Sequence, residues 1–138
     1  MADTNTIEIT TERPVQEITL HIVDSGDINF SVYTDTPSAY TTINDALMRL
    51  STINAQYRSI VLAEGMTNED RGKKYFEFLG EQAQICLDAL RKVVGEEEWK
   101  KLEPVAQYLP INTLVEVLKA CASAVSRAAV NRLKEGRV

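Results

Sequence analysis

The stretch ITLHIVDSGDINFSVY, residues 18–33, decides the fold class. Ile18, Leu20 and Ile22 fall on one side of an extended chain, and Thr19, His21 and Val23 on the other. After Asp24-Ser25-Gly26-Asp27 the alternation resumes, with Ile28, Phe30 and Val32 against Asn29, Ser31 and Tyr33. Successive side chains of a strand point to opposite faces, so this period of two marks a half-buried strand. Two such runs about a Gly-containing turn predict a hairpin with strands at 18–23 and 27–33. Ile7 and Ile9 in TIEIT, residues 6–10, offer a third strand, with Pro14 in the connection rather than at a strand centre.

A sheet of two or three strands cannot bury its apolar face alone in water. From Pro37 onward the pattern is helical and supplies the cover. Thr36-Pro37 reads as a cap followed by proline at the first helical position. The first helix is expected to run to about Glu64 and end at Gly65, with the stripe Ile43, Leu47, Leu50, Asn54, Tyr57, Val61. A second helix starts at Thr67, with Asp70 as its capping partner, and runs to Val94 before Gly95. Its stripe is Phe76, Leu79, Ala83, Cys86, Leu90 and Val93.

The segment EEEWKKLEPVAQYLP, residues 96–110, predicts a short third helix. Its leading acids suit the positive end of the helix dipole, and Glu96/Lys100 and Glu97/Lys101 are helical neighbours. Pro104 is expected to kink or split it and Pro110 to end it. The last helix is expected from about Thr113, with Glu116 as capping partner and Leu114, Leu118, Cys121, Val125 and Ala128 as its stripe. Ala and Ser crowd positions 120–129, so another backbone can approach there. The chain thus reads as one α+β domain over residues 1–138. A hairpin region at 1–35 packs on a bundle at 36–135, made of three long helices and one short one.

A chain of 138 residues suits a single modest core. The 44% hydrophobic and 25% charged content is that of a globular protein. No run approaches the roughly 20 apolar residues that span a bilayer, and MADTNTIEITTERP lacks the regions of a secretory signal, so the expectation is a cytoplasmic protein. Cys86 and Cys121 lie in apolar stripes without a CxxC or histidine neighbour and read as small core residues. The net charge of −5 argues against a dedicated nucleic-acid binder. It is divided unevenly: residues 1–40 carry −6, and residues 119–138 carry +4. Cations at a helix C-terminus complement its dipole.

No catalytic, metal or cofactor constellation stands out. His21 is the only histidine, and neither GxxxxGK[ST] nor GxGxxG occurs, so the chain is expected to be non-enzymatic and without cofactor. Asn54 is a polar residue within an apolar stripe, which leaves two readings open: an asparagine that fixes register or oligomeric state, or one at the stripe's edge that reaches water. Trp99, Tyr108 and Tyr33 are aromatics of the kind that anchor partners, although Trp99 reads first as the plug of the short helix. The candidate protein-contact residues are His21, Tyr33, Asn54, Arg127 and Arg132. Self-association is expected through the hairpin edge or around Asn54.

The passage TDTPSAYTTINDAL, leading from the hairpin into a long helix, resembles small proteins of long-tailed bacteriophages and prophages. So does EQAQICLDALRKVVGEEEWKKLEP followed by LPINTLVEVLKACASAV: a helix, a glycine-acid turn, a short helix and a closing helix. The layout is similar to that of tail-assembly-chaperone-like proteins over roughly residues 17–130. The resemblance implies a protein that binds the tape-measure protein during tail building in the bacterial host cytoplasm. The residues alone leave open a small bacterial adaptor or regulatory binding protein with no phage role.

Overall fold

A computed structural model describes residues 6–11, 14–23, 25–34 and 36–136. The hairpin forms from β1 (Val15–Ile22) and β2 (Gly26–Tyr33), paired antiparallel with Ile18 opposite Phe30 and Ile22 opposite Gly26. β1 therefore begins three residues earlier than the alternation of 18–23 suggests, and the turn sits one step earlier. Gly26 explains the shift. It adopts φ +87°, which a three-residue hairpin loop requires at its end and which glycine adopts without steric cost. The third strand does not form: residues 6–11 are irregular, and Ile7 and Ile9 are exposed. Alternation makes a segment competent for a strand, but only a paired edge and a covered face make it one.

The inward face of the hairpin buries Phe30 and Val32 and half-buries Ile18, Leu20, Ile22 and Ile28. Its outer face carries cross-strand polar pairs at facing positions. The Thr19 hydroxyl donates to Asn29 Oδ1 at 2.7 Å, and His21 Nδ1 lies 2.8 Å from Asp27 Oδ1. Pairs of this kind hold register on a solvated face.

Three helices cover the other face: α1 (Pro37–Val61), α2 (Asn68–Ala106) and α3 (Ile111–Lys134). α1 begins at Pro37 behind an extended Thr36, whose side chain makes no capping bond. It ends at Val61, three residues before the expected Glu64. The Thr67 side chain accepts from the Asp70 N–H, which caps α2. α3 begins at Ile111 rather than near Thr113, because the Pro110 carbonyl already accepts from the Leu114 N–H and closes the first turn.

The short helix is the far arm of α2. Gly95, at φ +77° and ψ 170°, interrupts the helical path and leaves residues 96–106 as a separate arm. Pro104 lies inside that arm without ending it, so the break falls at the glycine and not at the proline. Arg91 and Glu96 clasp the two sides of the break, with Nε–Oε1 at 2.9 Å and Nη2–Oε2 at 3.2 Å. The helical pairs expected for Glu96 and Glu97 with lysines are replaced by this clasp and by Lys101–Glu98 at 3.0 Å.

The core lies at one end of the bundle. Ile43 and Leu50 come from α1, Leu90 and Val93 from α2, Trp99 and Leu102 from its arm, and Leu114 and Leu118 from α3. Trp99 is buried, as the plug of the short arm. Leu47 and Leu79 are only partly buried, and Phe76 is 71% exposed. Beyond this core, α1 from Ser51 and α2 up to Gln84 hold no buried residue. They form a two-helix extension with one flank open to water.

Candidate functional site

That extension creates a concavity of about 940 Å³ between α1, the first half of α2 and the start of α3. Leu47 and Leu50 of α1, Phe78 and Leu79 of α2, and Ile111 and Val115 of α3 form its apolar lining. Aromatic packing shapes the α1–α2 side. Tyr57 meets Phe78 edge-on at 4.9 Å between ring centroids and Tyr75 at 5.9 Å, and Tyr75 meets Phe76 at 5.6 Å. These are attractive ring geometries, so the rings hold one another without a covered core beneath them.

The rim is polar. Asn54 Oδ1 accepts from Gln82 Nε2, tying α1 to α2, and Arg58, Glu116 and Lys119 stand around the opening. An apolar floor between polar rims is complementary to an amphipathic helix, which presents an apolar stripe flanked by charge.

A second cleft, of about 680 Å³, lies where the hairpin meets the helices. Tyr33 and Arg132 both line it, with Lys92, Thr36 and Thr42. The Tyr33 ring also presses on the helix break: its hydroxyl stands 2.9 Å from where a Cβ on Gly95 would be.

The five candidates from the sequence are thus dispersed. Tyr33 and Arg132 share the hairpin cleft, and Asn54 stands on the long groove. Asn54 is exposed, so it acts as a bridge to Gln82 and not as a buried register residue. His21 is exposed beside Asp27, Arg127 is exposed on α3, and neither lines a described concavity of the two. Sequence reasoning missed Tyr75 and Phe78. The stripe through Phe76 turned the start of α2 by two residues, and the signal that corrects it is the aromatic match of Phe78 to Tyr57 on the facing helix.

Electrostatics perturb few groups. Burial pushes the Cys86 thiol up to about 11 and the Cys121 thiol up to about 12. The Glu98 carboxyl is lowered, first by the Ser31 N–H and then by Lys101. Among the described residues no three His, Cys, Asp or Glu side chains gather in a metal-binding group, and no helix is long and apolar enough to cross a membrane. Compared with protein-family models, curated proteins and solved structures, the chain has no match.

Proposed function

We propose that this chain is a non-enzymatic protein-binding factor, a tail-assembly chaperone of a long-tailed phage or prophage that holds the tape-measure protein in the host cytoplasm during tail building. One observation carries the reading: the groove of about 940 Å³ is lined by Phe78, Leu79 and Val115 and rimmed by Arg58, Glu116 and Lys119. A helix is roughly 10–12 Å across with its side chains, and its apolar stripe seats in a groove of this kind. The resemblance implies a long helical client, and the groove would cover an apolar stripe of that client during tail building. The resemblance of residues 17–130 to tail-assembly chaperones supports the same assignment.

Co-expression with the tape-measure protein of the same gene cluster tests the proposal. The chain should co-purify with that protein and keep it soluble. Tyr75→Glu and Leu79→Glu, which place charge on the groove at residues outside the packed core, should abolish both effects. A folded wild-type chain that leaves the tape-measure protein insoluble and unbound overturns the proposal.

A further inference from the structure

The hairpin has two edges, and among the described residues only the β2 edge is bonded to another element. The Ser31 N–H donates to Glu98 Oε2 at 2.8 Å, so odd-numbered positions of β2 turn their backbone groups away from β1. The Thr34 N–H donates to the Pro14 carbonyl at 3.0 Å, so even-numbered positions turn toward it. In an antiparallel pair these two kinds of position alternate. By the register, Gln16, Ile18, Leu20 and Ile22 exchange bonds with β2, and Glu17, Thr19 and His21 send theirs to the outer edge of β1. Among the described residues that edge meets no backbone partner. Among the described residues, the Glu17 carbonyl accepts from the neighbouring Gln16 side chain, at 3.3 Å.

β1 also carries few of the protections of a free edge, Glu17 being its one carboxylate. It is eight residues long, its pairing runs without a bulge, and VQEITLHI holds neither lysine nor proline. Such an edge is a template for another strand.

We infer that β1 pairs antiparallel with β1 of a second copy, Thr19 opposite Thr19, forming one four-stranded sheet across a two-fold axis. In this register Glu17 opposes His21 twice and Ile18 opposes Leu20 twice. A carboxylate meets an imidazole in place of another carboxylate, and the apolar partners fall on the inward face. Ile18 and Leu20 are only partly buried in one chain, and the juxtaposition covers them further. The contact is isologous, so it closes as a dimer and builds no filament. It lies apart from the helical groove and does not depend on the client proposed for that groove.

Sedimentation from low micromolar to near-millimolar concentration, without any client, tests this directly. The wild-type chain should pass from one to two chains in mass. Thr19→Pro removes one outward N–H, no ladder bond and the Thr19–Asn29 side-chain bond, so it should hold the protein at the mass of one chain, whereas Thr19→Val, which loses that side-chain bond alone, should still dimerise. Thr19→Cys should give an oxidised covalent dimer, since facing hydrogen-bonded positions lie about 5.5 Å apart, within disulfide reach. Glu17→Cys should give none, and the buried Cys86 and Cys121 do not compete. If Thr19→Pro unfolds the hairpin, the two cysteine variants still decide. A chain that stays single at every concentration overturns the inference, as does a dimer without the Thr19→Cys bond. A dimer that is lost on Ile9→Lys and gives no such bond also overturns it, by giving the edge to residues 6–11.

Discussion

The backbone N–H of Ser31 and the side chain of Glu98, 67 positions apart, meet at 2.8 Å and fasten the hairpin to the far arm of α2. Glu98 is the third of three successive glutamates, and only its side chain turns toward β2, where it is 22% exposed. A carboxylate bonded to a backbone donor in partial shelter is worth about 1.5–3 kcal/mol. Glu98→Ala should therefore lower stability by about 1–3 kcal/mol in urea, and Glu98→Gln, which keeps an acceptor oxygen, by less.

The same contact gives a pH dependence of known sign. The Ser31 N–H holds the Glu98 carboxyl below its ordinary value of 4.5 in the folded chain. The stabilisation is complete above that ordinary value and fades as pH falls through the lower, folded value. The stability difference between the wild type and Glu98→Gln should shrink as the solution is acidified below 4.5. A difference that stays constant down to the acid transition would place the carboxylate away from the N–H.

Core leucines should separate from those of the groove. Leu90 and Leu118 have no exposed surface, whereas Leu47 and Leu79 are partly open. Leu90→Ala and Leu118→Ala should each cost about 2–5 kcal/mol, since both lose burial and leave a cavity. Leu79→Ala should cost less, because water and side-chain movement fill the space it leaves. Urea midpoints at constant slope measure the order.

Much of this was legible in the chain, for local reasons. Alternation around Gly26, proline after Thr36 and glycine at 95 each act through one residue's own backbone, so the hairpin, the start of α1 and the break in α2 follow from the sequence. What was not legible depends on neighbours. Ile7 and Ile9 alternate as well as Ile18 and Leu20 do, yet they have no cover and form no strand. Phe76 and Phe78 are equally apolar, and only the position of Tyr57 on α1 draws Phe78 inward. The groove arises where α1 and α2 outrun their buried stripe, and no single helix contains that fact. The Ser31–Glu98 bond joins a backbone to one of three identical residues, which a linear pattern cannot distinguish.

The cysteines offer a direct probe of the core. Both are fully buried, and burial raises their thiols to about 11 and about 12. The thiolate is the reacting species, so both low accessibility and low thiolate content slow attack at neutral pH. Reaction with an aromatic disulfide reagent should be slow in the native protein and should release two equivalents promptly in denaturant, matching Cys86 and Cys121. Rapid native labelling of either would mean that its helix face is turned outward.

The same substitution should have opposite signs at two glycines of α2. Gly80 lies within the helix, and a Cβ there meets nothing within 4 Å. Gly80→Ala should stabilise by about 0.5–1 kcal/mol, the usual cost of glycine in a helix. Gly95 combines φ +77° with ψ 170°, a region that is essentially glycine's alone. A Cβ there would also stand 2.9 Å from Tyr33 Oη and 3.1 Å from its Cε2. Gly95→Ala should destabilise by about 1–3 kcal/mol from the backbone alone, and by more from the ring. Tyr33→Phe removes the nearest atom but leaves the ring carbon and the dihedral strain. In a double-mutant cycle it should recover part of the Gly95→Ala loss and never all of it. Full recovery would assign the cost to the hydroxyl contact alone, and a stabilising Gly95→Ala would mean that the helix runs unbroken from Asn68 to Ala106.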